Sequence, residues 1–177
     1  IDTYISDIIQ DYEGNYWIAS SRVGLLLLTK SKFSDYNLSN GMGECMVNAV
    51  YENRGKRYIA TDDGLYIYND KGEQEVNELT DLLQNVSVRH ITADSKGNIW
   101  LSTYRKYGVI KYKTDGSYEV LGRSNGLPAI TVNCTLPLSD GRIAVATTEG
   151  MAILGTDGRA ERTFGMDTEL AEVNILS

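Results

Sequence analysis

Short apolar and β-branched runs, separated by turn-forming residues, recur along the whole chain. The clearest stretch predicts strands at 47–50, 57–61 and 64–68, with a weaker fourth strand at 75–79. Asp-Gly pairs at Asp115-Gly116 and Asp157-Gly158 predict hairpins later in the chain. No apolar periodicity of 3.6 residues persists over a dozen residues, although 78–86 has room for one helical turn. The pattern therefore predicts an all-β protein.

The same short pattern repeats four times. Four glycines that open equivalent segments follow one another at intervals of 41, 42 and 44 residues, and an aromatic residue stands three places after each of the first three. A small residue, a hydroxyl-bearing residue and a second glycine then follow in fixed order. These columns are Gly14, Gly55, Gly97 and Gly141; Trp17, Tyr58, Trp100 and Ala144; Ala19, Ala60, Ser102 and Ala146; Ser20, Thr61, Thr103 and Thr147; and Gly24, Gly64, Gly108 and Gly150. Agreement in so many columns indicates a true internal repeat.

Four short antiparallel strands every 40–45 residues or so are typical of a propeller blade. A β-sandwich would also supply many short strands, but it gives no reason for Gly-x-x-Trp to recur at a fixed spacing. We therefore predict an all-β, β-propeller fragment of about four four-stranded antiparallel blades, each of about 42 residues, plus the first strand of a fifth. We expect the aromatic column to pack between neighbouring blades. The single propeller segment covers 1–177, with blades at about 4–40, 46–82, 87–125 and 131–168 and the start of the next blade at 172–177.

Both ends of the sequence match the innermost strand of a blade. The first such strand falls at 5–9, and Val173-Asn is similar to Val47-Asn and Val132-Asn. Since a closed ring usually completes one blade with strands from both termini, we interpret the chain as an arc of a longer propeller. An arc exposes blade faces and strand edges, so we expect self-association through the blade ends.

Charge and composition narrow the possible partners. The chain carries a formal net charge of −7 and has a sequence pI near 4.7, which disfavours binding to nucleic acid. No apolar run reaches the roughly 18 residues of a membrane helix. No signal peptide is evident, so we expect any export signal to have been removed or to lie outside this sequence. Cys45 and Cys134 fall at different positions of the repeat, and we expect free, mostly buried thiols.

Two segments carry a motif that resembles a known family. Asp11-x-x-Gly-Asn-Tyr-Trp-Ile-Ala-Ser20 and Asp94-x-x-Gly-Asn-Ile-Trp-Leu-Ser-Thr103 resemble the two-component regulator propeller repeat. That repeat reads roughly Asp-x-x-Gly-Asn-(Leu/Ile)-Trp-(Ile/Leu)-Gly-Thr, followed by a Gly-Leu strand. Ser39-Asn-Gly-Met42 and Ser124-Asn-Gly-Leu127 resemble the Asn-Gly-Leu that precedes its next inner strand. Ala144 departs from the pattern in the fourth unit, and Ala or Ser replaces the Gly before Thr throughout.

The resemblance implies a bacterial sensor. Propellers of this family form the extracytoplasmic part of membrane-spanning hybrid histidine kinases or diguanylate cyclases. The resemblance therefore implies a non-catalytic, ligand-binding propeller, periplasmic or extracellular, in a membrane-anchored protein that signals to a C-terminal output domain. It also implies a carbohydrate or a related small molecule as the ligand. The matching motif residues are structural ones, so the resemblance transfers no ligand contact.

Candidate catalytic and metal-binding residues are few. His90 is the single histidine, and the chain has neither a zinc-ligand spacing nor an acidic calcium loop, so we predict no metal and no cofactor. His90 and Cys134 fall in matching columns of neighbouring blades. Packing explains two inner-strand residues more economically than a catalytic pair does. We interpret His90 as a residue that lines the channel or packs beside it, with contact to a ligand as the alternative.

Carboxylate pairs are harder to exclude, since 24 acidic residues always allow one. Propellers host glycosidases and lyases, so a polysaccharide lyase or hydrolase is the alternative to a sensor. Most acids nevertheless stand at turns, where their side chains bond the backbone, and we predict that this segment is not an enzyme. A protein-interaction or dimerisation platform is the third hypothesis.

Candidate binding residues stand in the turns between the second and third strands of the blades. In a propeller these turns share one face with the connections between blades, and here they vary in chemistry while their surroundings repeat. The third turn is the longest, and its two tyrosines around two cations suit sugars or flat anions; an ordinary solvated loop is the alternative. The candidates are Arg22, Asp62, Asp63, Tyr104, Arg105, Lys106, Tyr107 and Glu149, with His90 added from an inner strand.

Overall fold

Strands dominate the computed structural model, which describes residues 4–29, 33–36 and 42–165. In this part of the chain, the strands form four antiparallel sheets of four consecutive strands each. The first sheet contains β1 (Ile5–Gln10), β2 (Tyr16–Ser20), β3 (Gly24–Leu28) and β4 (Phe33–Asp35), and the second contains β5 (Val47–Asn53), β6 (Lys56–Thr61), β7 (Leu65–Tyr68) and β8 (Gln74–Glu75). The third contains β9 (Val88–Ala93), β10 (Ile99–Thr103), β11 (Val109–Tyr112) and β12 (Tyr118–Leu121), and the fourth contains β13 (Val132–Pro137), β14 (Ile143–Thr147), β15 (Gly150–Leu154) and β16 (Ala160–Gly165).

A sheet in which four consecutive strands each pair with the next is the blade of a propeller. The predicted fold class is therefore confirmed for four blades. The inner strand predicted at 172–177 lies outside the described residues, as do residues 39–41 of the first Asn-Gly segment. Among the described residues, no helix has both the length and the apolar character needed to cross a bilayer.

The chain divides into two compact units, Ile1–Ile91 and Thr92–Ser177, with the boundary inside β9. The core of the first unit forms around Trp17, which is only 2% exposed. The ring of Tyr36 meets Trp17 edge-on at a centroid distance of 4.5 Å, and Tyr68 meets Tyr36 in the same way at 5.6 Å. Because Val47, Val50 and Tyr68 come from the second blade, Trp17 packs between the first two blades, as predicted.

The core of the second unit forms in the same way around Trp100. This residue is 2% exposed and packs with Ile143 and Val145 of β14 and with Leu154 of β15. Trp100 therefore fills the space between the third and fourth blades. Its counterpart in the fourth blade is Ala144, which is only half-buried.

The Asp-x-x-Gly-Asn-x-Trp motif folds as a turn closed by its own aspartate. The carboxylate of Asp94 accepts hydrogen bonds from the backbone N–H groups of Lys96 (3.0 Å) and Asn98 (2.9 Å), from Asn98 Nδ2 (2.8 Å) and from Trp100 Nε1 (3.0 Å). Burial acts to raise the pKa of Asp94, but these hydrogen bonds outweigh it and lower the pKa below its ordinary value. The motif is therefore structural, because it fixes both the turn and the core tryptophan.

The second glycine column is required by close backbone approach. Gly108 has φ +80°, and a Cβ there would lie 2.4 Å from the carbonyl oxygen of Leu121 in β12. Gly150 has φ +138°, and a Cβ there would lie 2.1 Å from the carbonyl oxygen of Phe164 in β16. At these positions the fourth strand passes so near the third that no side chain fits.

The predicted fourth strand at 75–79 is wrong after Glu75. Helix α1 (Glu78–Leu82) begins where the strand was expected to continue, as the alternative of one helical turn had allowed. Asn77 caps the helix by accepting hydrogen bonds from the N–H groups of Leu79 (3.0 Å) and Thr80 (3.1 Å). Leu79 of the helix and Leu83 directly after it are buried. The cap and the spacing of these leucines outweigh the strand pattern.

The inner strands share an irregularity that explains a second correction. The register shifts at the second residue of β1, β5 and β13, which is a β-bulge. In β13 the shift falls between Val132 and Cys134, and Cys134 is exposed, so the prediction of a buried thiol is wrong for this residue. Cys45 is half-buried, and burial raises the pKa of its thiol. Neither cysteine forms a disulfide.

Candidate functional site

The candidate turns are built on the buried hydroxyl column of the repeat. In the second blade, Thr61 Oγ1 donates a 2.9 Å hydrogen bond to the carbonyl oxygen of Gly64 and accepts a 3.1 Å hydrogen bond from the N–H of Asp63. The hydroxyl therefore closes the turn from below while the side chain of Asp63 stays exposed. This arrangement fixes the backbone and leaves the side chains of the turn unconstrained.

The same device recurs in the other three blades. The hydroxyl-bearing residue of each blade accepts a hydrogen bond from the backbone N–H of a predicted site residue, at 3.1 to 3.3 Å. The repeat shows this column in the sequence but not its role, although its position directly before the turn is the available signal. The pairs are Ser20 with Arg22, Thr103 with Tyr107 and Thr147 with Glu149.

In the first unit, Asp62 is a structural link. Its Oδ1 atom accepts a 2.9 Å hydrogen bond from Asn48 Nδ2 and a 2.7 Å hydrogen bond from Ser87 Oγ. Asn48 Nδ2 also donates to the carbonyl oxygen of Val88 at 2.9 Å. Asp62 thus holds the start of β5 and the start of β9 together, and its Oδ1 atom is already engaged. Arg22, by contrast, is an exposed side chain.

His90 lies half-buried in β9, within the first unit. Burial lowers the pKa of its imidazole, and the carboxylate of Asp7 in β1 acts in the opposite direction. His90 is therefore mainly neutral at pH 7 and can donate or accept a hydrogen bond. Asp7 was missed by the sequence analysis, although it stands in the inner-strand column that also contains Ala49 and His90. Asp7 Oδ2 accepts a 3.2 Å hydrogen bond from the N–H of Val50.

In the second unit, the long β10–β11 turn presents two cation–aromatic pairs. The guanidinium carbon of Arg105 lies 4.8 Å from the ring centroid of Tyr104, and Lys106 Nζ lies 5.0 Å from that of Tyr107. Both tyrosines are half-buried and both cations are exposed, while Arg105 has a φ of +63°. Such a turn offers positive charge and aromatic edges, which suits polar ligands with hydroxyl or anionic groups.

Glu149, the candidate in the fourth blade, is engaged by a cation that was not predicted. Arg123 Nη2 lies 3.2 Å from Glu149 Oε1 and 3.0 Å from Oε2. Both side chains are more than half exposed, so the pair contributes little to stability. Arg123 lies in the 3₁₀ turn Arg123–Asn125 that follows β12. No sequence signal linked the two residues, because they are 26 positions apart.

The structure thus separates the predicted residues by role. Asp62 is a structural link, Glu149 is paired with Arg123, and Tyr104 to Tyr107 form one cationic and aromatic loop. Arg22 and Asp63 are exposed. Within the described part of the chain, no three or more His, Cys, Asp or Glu side chains come together in a way that could hold a metal ion.

Comparison with known families finds two matches within the chain. Residues 1–22 and 81–105 match the family model described as "Two component regulator propeller". The chain therefore carries two repeats of this kind, at the two places where Asp-x-x-Gly-Asn-x-Trp occurs. No curated protein matches the chain significantly.

Solved structures with the same fold include extracellular domains of bacterial signalling proteins. One is that of BT3049 from B. thetaiotaomicron, classed as a hybrid two component system, with a TM-score of 0.73, 22% identity, and coverage of 92% of this chain and 23% of that chain. Another is that of BT4673 from the same organism, classed as a one component system, with a TM-score of 0.76, 23% identity, and coverage of 94% and 22%. The chain thus spans less than a quarter of the length of either domain.

An enzyme shares the fold as well. Virginiamycin B lyase from Staphylococcus aureus, solved as the catalytically inactive H270A variant with quinupristin, matches with a TM-score of 0.69 and 16% identity. The alignment covers 94% of this chain and 57% of that chain.

Proposed function

We propose that this chain is part of the extracellular sensor propeller of a bacterial two-component signalling protein, and that it binds its ligand without transforming it. The observation that carries this proposal is the pair of two component regulator propeller repeats. The extracellular domains of BT3049 and BT4673 have the same fold, which supports the proposal.

At four turns, the state of the aspartates favours binding over catalysis. A general acid or base must be able to reach a substrate and exchange a proton with it. The carboxylates of Asp11 and Asp94 are instead saturated by hydrogen bonds from their own turns. Asp140 and Asp157 likewise accept hydrogen bonds from backbone N–H groups two residues later.

The proposed ligand is a carbohydrate or a related small molecule. The β10–β11 turn combines aromatic edges with two exposed cations, and the buried hydroxyl of Thr103 fixes the backbone that carries them. A ligand that binds one arrangement of the full protein more tightly than another would shift the equilibrium between the two arrangements. That shift would be transmitted to a C-terminal output domain.

The second candidate is a lyase on the same fold. The observation in its favour is the similarity to virginiamycin B lyase, whose inactive variant replaces a histidine. This chain has one histidine, His90, so the hypothesis is testable with a single substitution.

The test is a thermal-shift screen of the full chain against mono- and oligosaccharides, sugar acids and amino acids, followed by chromatography of each stabilising compound after incubation. A ligand at a hundred times its dissociation constant stabilises a protein by about 2.7 kcal/mol. The sensor proposal expects a saturable shift with one chemical class and recovery of the compound unchanged. Turnover that His90→Ala abolishes would establish the lyase, and a flat response to every class would contradict a small-molecule sensor.

A further inference from the structure

A cleft of about 210 Å³ lies in the first unit, beside the second blade. Its walls come from the β6–β7 turn, from the start of β7, from the end of β8 and from α1. Most of its lining side chains are polar. The lining side chains that could contact a ligand include Asp63, Tyr66, Gln74, Val76, Asp81 and Gln84.

The cleft is preformed, because its walls are fixed to one another. The N–H of Asn85, just after α1, donates a 2.8 Å hydrogen bond to the carbonyl oxygen of Asp63. The helix also packs directly on the turn, since a Cβ on Gly64 would lie 3.1 Å from the carbonyl oxygen of Leu83. The side chains of Leu79, within the helix, and of Leu83, directly after it, are fully buried. A ligand would therefore enter the cleft without ordering a loop.

Most polar side chains in the cleft have no hydrogen-bond partner among the described residues, whereas Thr80 bonds the backbone of Asn77. Asp63, Gln74, Asp81 and Gln84 make no side-chain hydrogen bond or ion pair in the described ranges of the chain, and neither does the hydroxyl of Tyr66. Most other acidic turn residues behave differently, as the fully bonded carboxylate of Asp94 shows. The four Asp and Gln side chains of the cleft are exposed, so they bond water in the free protein, and a ligand whose hydroxyl groups replace that water can bind them.

The residue types define the ligand. Two glutamine amides both donate and accept hydrogen bonds, and two carboxylates accept them from hydroxyl groups. Among the described residues, no Lys or Arg lines the cleft, so an anionic ligand would meet two negative charges without compensation. The half-buried ring of Tyr66 and the exposed Val76 provide apolar surface. The volume is below the roughly 300–1,000 Å³ of pockets for drug-sized molecules, so the ligand is small.

We infer that this cleft binds a single uncharged sugar residue, through Gln74 and Gln84 with Asp63 and Asp81 as hydroxyl acceptors. The inference rests on the proposed ligand-binding function and deepens it, because it adds to the β10–β11 turn a second site, beside the second blade, that excludes acidic sugars. The glutamines come from two separate elements, β8 and the residues after α1, so neither alone would form the site.

The test is isothermal titration calorimetry of the full chain with methyl glycosides of neutral hexoses and pentoses as probes, and glucuronate as the acidic comparator. Neutral probes should bind, and glucuronate should bind at least about tenfold more weakly. Gln74→Ala and Gln84→Ala should each weaken binding about threefold or more, and the double variant about tenfold. Gln10→Ala is the matched control, since Gln10 is the one glutamine of the sequence that lies outside the cleft, exposed on β1. It should change affinity by less than about twofold.

A charge reversal provides a gain-of-function test. Asp81 is exposed on α1, and Asp81→Lys should strengthen glucuronate binding at least about fivefold while the protein unfolds at an unchanged temperature. Neutral glycosides that bind the double glutamine variant as tightly as the wild type would overturn the cleft assignment while leaving the sensor proposal standing. Failure of every neutral glycoside to bind the wild type would overturn the cleft as well. A thermal shift with another chemical class would then still support the sensor.

Discussion

The indole Nε1 of Trp17 donates a 2.8 Å hydrogen bond to the carboxylate of Asp11, six residues earlier in the chain. The equivalent bond from Trp100 to Asp94 measures 3.0 Å. Each bond connects a surface turn to the largest side chain between two blades. The tryptophan therefore keeps its polar atom satisfied while the rest of its ring packs in the core.

Removing this aspartate should destabilise the protein. Asp94→Ala leaves the Trp100 N–H and two turn N–H groups without their acceptor, so we expect a loss of about 2–3 kcal/mol in the free energy of unfolding. Asp157→Ala is the control, because Asp157 is exposed and accepts a single hydrogen bond, from Arg159 N–H. Urea denaturation followed by tryptophan fluorescence measures both. Equal losses for the two variants would show that the tryptophan bond contributes nothing.

The same residues predict an acid-sensitive fold. The pKa values of Asp11 and Asp94 lie below their ordinary value, so both stay ionised more readily in the folded than in the unfolded chain. Their contribution is present above about pH 4 and is lost as the pH falls through the folded-state pKa. The free energy of unfolding should therefore decrease more steeply below about pH 4 in the wild type than in Asp94→Asn. Parallel acid profiles for the two proteins would contradict this explanation.

A buried hydroxyl in the small-residue column predicts a stabilising substitution. Ser102 is fully buried, and its Oγ has no hydrogen-bond partner in the structure as described. Alanine stands at the matching positions 19 and 60. Ser102→Ala should raise the free energy of unfolding by about 1 kcal/mol, because it removes an unsatisfied polar group.

The neighbouring residue provides the control for this prediction. Thr103 Oγ1 is also buried, but it donates to the carbonyl oxygen of Gly108 and accepts from the N–H of Tyr107. Thr103→Val should lower the free energy of unfolding by about 1–3 kcal/mol. Chemical denaturation compares the two variants directly. A destabilised Ser102→Ala would mean that the hydroxyl is satisfied in solution, for example by water.

Two glycines separate the cost of a left-handed backbone from the cost of close approach. Gly108 has a φ of +80° and Gly116 a φ of +87°. A Cβ on Gly108 would lie 2.4 Å from the carbonyl oxygen of Leu121, whereas a Cβ on Gly116 would meet nothing within 4 Å. Gly116→Ala should cost about 1 kcal/mol. Gly108→Ala should cost at least about 2 kcal/mol more, because the third and fourth strands must move apart. Similar melting temperatures for both variants would argue against the steric explanation.

The sequence predicted the blades because their structural residues recur. Trp17 and Trp100 share a spacing with their glycines and aspartates, and a repeated spacing identifies a position between blades without knowledge of the contacts. The prediction failed where one blade departs from the others. Helix α1 is short, and a local cap at Asn77 decides it. Cys134 follows a bulge, which a regular alternation of inward and outward residues does not anticipate.

The candidate site was less predictable than the fold. The position of the variable turns followed from the repeat, but the partners of their side chains did not. Asp62 is bonded to Asn48 and Ser87, which stand 14 and 25 positions away. Gln74 and Gln84 line one cleft because α1 packs on the β6–β7 turn of the second blade, and no column of the repeat contains them. Long-range contacts of residues that do not repeat leave no periodic trace in one sequence.

The buried hydroxyls beneath the turns have a consequence for engineering. Thr61, Thr103 and Thr147 bond only backbone atoms of the turns above them. Apart from Arg105, whose φ is +63°, the turn side chains can therefore be exchanged without altering the path of the chain. Positions 104, 106, 107 and 149, all in the second unit, can be randomised together in a display library while the threonines and glycines are kept. The repeated hydroxyl and glycine positions therefore provide a fixed backbone on which new binding side chains can be selected.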